Sequence, residues 1–294
     1  MTEHKKQHYI PQCYLEAWCD PECPTGHTPY VWRFSKDGTR IKKKAPENIF
    51  YEKDMYTIHL EDGTRDLTLE HGLNQLESLF TQVRKKIEKK ENLTIEDRTI
   101  LCAFSSAMFG RTKAQREHQR KQWEKPLEIM EDMMKATPEQ KRRMAALPSS
   151  SSTKEAGLSY EDVKYLVKNP TQTFLPSIVR TMTPLLCKID LAILTSESRI
   201  GFITSDAPCV WFDPQAYKRP PFLRHAGLMY ESIEISLPIS PRALLLLNRK
   251  GFNGYYVSND KADDEANQLR RFYSEEYFVV NRNYKKDIWF DSGA

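Results

Sequence analysis

Seven polar side chains scattered along the sequence belong to the types that phosphodiester chemistry uses: His8 and Gln12, Glu70 and Glu77, Arg111 and Arg116, and Asp206. Imidazoles and carboxylates exchange protons or hold a divalent cation such as Mg²⁺, and guanidinium groups neutralise an anion in bidentate fashion. Gathered in one place they would make a phosphodiester hydrolase, a nuclease or toxin-like effector of microbial defence. In that site His8 is acid, base or ligand, Glu70, Glu77 and Asp206 are bases or Mg²⁺ ligands, Gln12 is a substrate contact, and Arg111 and Arg116 hold phosphate. The other reading is a non-catalytic recognition or interaction module, in which the same residues form a buried structural network and the basic helices bind RNA or a protein partner. An open concavity serves the enzyme, whereas closed mutual pairing serves the module.

Each candidate has a plain structural alternative. Glu70 and Glu77 lie seven residues apart, so on a helix their carboxylates project from one face about 10 Å apart along the axis. That face borders Leu73 and Phe80, and a carboxylate drawn toward apolar surroundings needs a cation, a metal or a raised pKa. Pairing with Arg111 and Arg116 would supply the cation. His8, beside Tyr9 and Ile10, fits a hydrogen-bonded core histidine as well as a catalyst. Asp206 follows a strand-like run and precedes Pro208, where an Asx-turn is the structural use and metal ligation or orientation of His8 the functional one. Arg111 and His118 have the Arg-x6-His spacing of one class of helical ribonucleases, a spacing that a segment this rich in arginine produces by chance. Cys19, Cys23 and His27 resemble a zinc half-site without a second half at suitable spacing. A Gly-rich phosphate loop, a dinucleotide fingerprint and a His-Glu-x-x-His element are all missing from the sequence.

The elements that would position these residues can be read from period and composition. Tyr30–Phe34 is aromatic and β-branched, Lys36-Asp37-Gly38-Thr39 is a hairpin turn, and Arg40–Lys44 returns as the partner strand. Phe50-Tyr51 and Met55–Leu60 repeat the pattern before a turn at Glu61-Asp62-Gly63. From Leu67 the period becomes helical through Ile87, and Thr94 caps a second helix that carries Phe104 and Met108 toward Arg111. Residues 112–168 read as a charged helical insertion with an apolar stripe at Leu127, Ile129, Met130, Met133 and Met134 and a linker at Pro148–Thr153. Beyond it a helix is expected over Leu175–Thr183, closed by Pro184, then strands at 190–195, 200–204, 232–237 and 243–247, a helix at 262–272 and a strand at 277–281. The expectation is a single α+β domain over 1–294: N-terminal hairpins, a central helical segment and a C-terminal mixed sheet with helices.

The block His8-Tyr9-Ile10-Pro11-Gln12-Cys13-Tyr14-Leu15 resembles the opening signature of the domain-of-unknown-function family 4238, which typically reads His-Tyr-(Val/Ile)-Pro-Gln-Phe-Tyr-Leu. Later blocks follow the family order. Phe50-Tyr51 matches a Phe-Tyr turn, and Glu70 with Glu77 matches a paired-glutamate helix. Arg111-Thr112 with Arg116 matches an Arg-Thr-Pro-x-x-Arg element, here with Lys113 for proline, and Thr204-Ser205-Asp206 matches a Thr-Ser-Asp-Asn-Pro strand end, here with Ala207 for asparagine. Leu237-Pro238-Ile239-Ser240-Pro241 matches a Pro-Leu-Ser-Pro strand, and Asn259 or Asn267 supplies the asparagine of the last helix. The resemblance brings relatives and no reaction.

Composition sets the outer bounds. Of the 294 residues, 39% are hydrophobic and 11% aromatic, enough to bury a core and incompatible with a disordered chain. A net charge of +4 from 44 basic and 40 acidic residues gives a general pull on polyanions too weak to name one, although bases cluster at 40–44, 84–90 and 111–125. The six cysteines show no disulfide framework, the N-terminus shows no secretory signal, and no apolar run approaches the roughly 20 residues that span a bilayer. A cytoplasmic setting without a membrane partner is therefore expected, with nucleic acid as the partner the basic clusters suggest; nothing in the sequence fixes the oligomeric state.

Overall fold

The apolar side chains of the N-terminal signature block lie in the core. In the computed structural model, which describes residues 6–60, 62–145 and 157–291, Ile10, Tyr14, Leu15 and Trp18 are all fully enclosed. Strand β1 (Lys6–His8) leads through Pro11 into a single turn, α1 (Gln12–Leu15), because proline's fixed φ of −58° sets up the first helical residue. Trp18 Nε1 then donates to the Phe202 carbonyl at 2.9 Å, and the Tyr14 hydroxyl lies 2.7 Å from that of Thr204. Both contacts satisfy polar groups that burial would otherwise leave stranded.

Strands β2 (Val31–Ser35) and β3 (Ile41–Lys44) form the expected hairpin, with Gly38 at φ 70° in its turn. β3 is a sheet edge, and its exposed Lys42 and Lys43 are what keeps such an edge from pairing with another chain. β4 (Tyr51–Lys53) runs antiparallel to β1, and β5 (Ile58–His59) pairs with β6 (Arg65–Asp66). Helix α2 (Thr68–Glu88) buries Leu73, Phe80, Val83 and Ile87, the face its period forecast. α3 (Ile95–Gly110) opens with a capping box between Thr94 and Asp97 and stacks Phe104 on Phe80 with ring centroids 3.7 Å apart.

The charged insertion is largely helical: α4 (Lys113–Lys135), α5 (Pro138–Ala145) and α6 (Tyr160–Lys168), with α4 packed on α6. The proposed Pro148–Thr153 linker lies outside the described residues. Of the apolar stripe of α4, Leu127 and Met130 are half-buried and Ile129, Met133 and Met134 are exposed. Its charges answer one another along the helix, Arg120 with Glu117 and Glu124, and Lys125 with Glu128. α7 (Pro170–Leu186) runs straight through Pro176 and Pro184, so the expected stop at Pro184 fails. Packing outweighs the lost backbone bond: α7 lies along α3, where a side chain at Gly110 would press within 2.8 Å of Leu175.

The C-terminal half builds two sheets. β7 (Asp190–Thr195), β8 (Thr204–Ser205), β9 (Val210–Phe212), β10 (Glu234–Ser240), β11 (Ala243–Asn248) and β12 (Gly254–Val257) precede α8 (Asp260–Tyr273) and β13 (Tyr277–Val280). The larger sheet has the order β12-β7-β11-β10-β9, antiparallel apart from β12 beside β7; the smaller is β3-β2-β13-β8. The architecture is α+β. One core runs from the signature block through α2 and α3 to the inner face of the larger sheet at Leu191, Ile193, Leu245 and Leu247. No described helix is long and apolar enough to cross a membrane.

The expected strand at 200–204 shortens to β8 because this segment satisfies its backbone with a side chain. Asn267 of α8 donates to the Gly201 carbonyl and accepts from Ile203 N–H, each at 2.9 Å, as a neighbouring strand would. Gly201 itself sits at φ 70° with the Pro241 carbonyl where a side chain would be. Asn267→Leu should strand both backbone groups and cost about 2 to 3 kcal/mol in urea unfolding.

Candidate functional site

Pairing of β1 with β4 sets His8 opposite Tyr51, ring centroids 5.5 Å apart. His8 Nε2 is 3.2 Å from the Glu47 carbonyl, and Gln12 Nε2 is 3.4 Å from Nδ1. A neutral ring with its proton on Nε2 satisfies both contacts. Desolvation agrees, since burial holds the imidazole below its ordinary pKa against the opposing pull of the Glu47 carbonyl. The fully buried glutamine is Gln7, not Gln12. Its amide donates to Thr57 Oγ1 at 3.0 Å and accepts Tyr56 N–H at 2.5 Å, which fixes the chain after β4.

One helix further in, Arg111 is completely buried and its Nη1 donates to Glu77 Oε1 at 2.8 Å. Its Nε hydrogen meets no acceptor among the described residues. The Tyr56 phenol shares this space. Burial raises its pKa first, and the charges of Glu77 and Glu70 add to the rise while Arg111 opposes it. Glu70 is half-buried and Glu77 has only 17% of its side chain accessible. The paired-glutamate helix therefore gives one carboxylate to an arginine and sets the other beside a buried tyrosine.

Arg116, on the first turns of α4, grips Glu52 of β4 with both Nη groups at 2.5 and 3.0 Å. Asp206, at the end of β8, receives three backbone N–H groups, from Glu275, Glu276 and Tyr277, at 2.7–2.8 Å. Burial pushes its carboxyl up to about 6, although all three hydrogen bonds pull the other way. Its role is to close the turn between α8 and β13, and it makes neither a hydrogen bond nor an ion pair with His8. That turn in turn serves α4: Glu275 accepts the Ala114 N–H at 2.8 Å, and Lys113 pairs with Glu276 at 3.4 Å. Tyr9 lies where these groups meet, with Lys113 Nζ 5.4 Å over its ring and its phenol pKa raised by burial and then by Asp206, Glu276, Glu275 and Glu52.

The seven residues therefore fall into three clusters strung along the signature block: His8 with Gln12, Glu77 with Arg111 and the nearby Glu70, and Arg116 and Asp206 with their separate partners around Tyr9. Sequence reasoning missed Tyr9, Tyr56, Glu52, Glu275 and Gln7. Tyr9 and Gln7 carried a usable signal by standing on either side of His8; Glu52 and Glu275 carried none, because the turns that deliver them are set by tertiary contacts. Among the described residues no three His, Cys, Asp or Glu side chains gather as a metal ion needs, whether around Glu70, Glu77 and Asp206 or around Cys19, Cys23 and His27. Among the described residues, the clefts of 450–600 Å³ beside Trp32, Leu246, Lys36, Leu73 and Arg249 are lined by none of the seven.

The family model for "Protein of unknown function (DUF4238)" matches residues 6–272, a span that contains all seven candidate residues. The chain belongs to this family. No curated protein and no solved structure matches it. Membership covers the signature block, the glutamate helix, the arginine pair and the Asp206 turn in one span, which ends within α8.

Proposed function

We propose that this family member is a non-catalytic recognition module that binds RNA or a protein partner, its polar signature serving to hold the binding surface in shape. The observation that carries this reading is the closed pairing of the signature charges: Arg111 on Glu77, Arg116 on Glu52, and Asp206 on three backbone N–H groups. Groups so engaged would have to break their partners before meeting a substrate.

A second reading, a phosphodiester hydrolase acting as a nuclease or toxin-like defence effector, is favoured by one patch. His8 and Gln12 stand side by side with Gln12 and Tyr51 exposed, and a general base would be the neutral imidazole, with Nδ1 released from the Gln12 amide. Mg²⁺ would belong to that reading only, and the carboxylates expected to hold it, Glu70, Glu77 and Asp206, do not gather as a metal site among the described residues. Both readings place the chain in the cytoplasm.

Incubation with RNA, tRNA and single- and double-stranded DNA, with Mg²⁺, Mn²⁺ or EDTA, separates the two when run beside His8→Ala and Glu77→Ala. The recognition reading expects no cleavage by the wild type in any lane. Cleavage lost in His8→Ala, with its melting temperature within about 2 °C of the wild type, establishes the hydrolase, and the EDTA lane reads its metal dependence.

A further inference from the structure

The connection between β9 and β10 is far longer than its ends require. Phe212 and Glu234 are directly opposite in register, so a two-residue turn would join them, yet residues 213–233 intervene. This loop is internally braced. Asp213 is buried and takes hydrogen bonds from Gln215 N at 2.9 Å and Ser232 Oγ at 2.7 Å, and it pairs with Arg219. The Arg219 guanidinium stacks 3.6 Å from the Tyr230 ring centre, and Arg224 Nε donates to the Arg219 carbonyl at 2.9 Å.

On this braced base the loop displays what proteins normally hide. Tyr217 is 70% exposed, Phe222 79%, Met229 85% and Leu223 38%. Interleaved with them are Lys218 and Arg224, and Arg249 reaches in from the end of β11 to donate to the Leu228 carbonyl at 2.9 Å. All three cations are exposed and none makes an ion pair among the described residues, whereas Lys250 is engaged by Glu234. Glu231 is the exposed acid of the loop.

We propose that residues 216–229, with Arg249, form a binding surface for single-stranded nucleic acid, with bases stacking on Tyr217 and Phe222 and phosphates held by Lys218, Arg224 and Arg249. Single strands are recognised by this combination of exposed aromatic rings and uncompensated cations, since every base offers a π-face and every link a charge; Lys218 Nζ lies 5.8 Å from the Tyr217 ring centre, so ring and cation already sit side by side. The interleaving decides against a lipid surface. A loop that enters a bilayer keeps its apolar tip apart from the cations that meet the headgroups, whereas here ring and charge alternate along the chain in Tyr217-Lys218 and Phe222-Leu223-Arg224. The proposal rests on the recognition reading above and gives it a surface and a partner class.

The test is fluorescence anisotropy in EDTA with labelled oligouridylate, oligodeoxythymidylate and duplex RNA, and co-sedimentation with phosphatidylglycerol–phosphatidylcholine vesicles. The wild type should prefer the single strands. Tyr217→Ala with Phe222→Ala should weaken binding at least about tenfold, and Tyr217→Phe with Phe222→Tyr should restore it. Lys218→Gln with Arg224→Gln should flatten the dependence of affinity on salt by about one logarithmic unit per decade. Strand binding that survives the double alanine variant would reject this surface and leave the recognition reading standing. Absence of strand binding by the wild type, or vesicle binding lost in that variant, would overturn the nucleic-acid assignment itself.

Discussion

Arg111→Ala should lower the stability of the protein by about 3 to 5 kcal/mol and its melting temperature by roughly 10 °C. The magnitude follows from burial. Arg111 is wholly enclosed, and Glu77 is left with little water to solvate its charge when the guanidinium goes. Arg111→Lys should recover only part of the loss, because an ammonium cannot occupy the planar position of the guanidinium beside Tyr56. Glu77→Gln keeps an acceptor for Nη1 but leaves the enclosed guanidinium without its counter-charge, so it should cost about 3 kcal/mol, more than Arg111→Lys. Urea unfolding of the four proteins checks the order. A stable Arg111→Ala protein would show that the arginine is held for a ligand and not for the fold.

Removing Asp206 should cost about 4 kcal/mol, since Asp206→Ala deprives three backbone N–H groups of their acceptor at once. The same carboxyl predicts a pH dependence. Its folded-state pKa, about 6, lies above the unfolded value near 4, so the folded form holds the proton more tightly. The stability this contributes is complete below pH 4 and is lost as pH rises through 6, a change of about 3 kcal/mol. Wild type minus Asp206→Asn, measured by urea unfolding from pH 4 to pH 7, isolates it from the other carboxylates. The difference should fall across that interval; a flat line would mean that the three N–H bonds cancel the burial.

The regular helices and the hairpin were legible in the sequence because they advertise local physics. The leucine face of α2, the Thr94 cap of α3 and the Gly38 turn each depend on neighbours within a few residues. The failures share another cause. Pro184 should end α7 by local rules, and packing along α3 carries the helix past it; the run at 200–204 reads as a strand, and the Asn267 side chain takes the place of its neighbour. At the candidate site the residue types could be picked out, and Glu77 with Arg111 was one of the pairings foreseen. The partners of Arg116 and Asp206 could not be, because Glu52 and the 275–277 backbone reach them across 64 and about 70 positions.

The burial of the signature block has a temporal consequence. Trp18 and Tyr14 leave the ribosome long before Phe202 and Thr204, the groups that satisfy them, at separations of 184 and 190 residues. Until those partners emerge, a tryptophan, two tyrosines and an isoleucine that belong at the centre of the core have nowhere to go. Non-local closure of this kind slows folding and leaves apolar surface open to aggregation. Refolding from urea should therefore be slow for a protein this rich in helix, and a nascent chain stalled before β8 should be a ready client for chaperones that hold exposed aromatic segments.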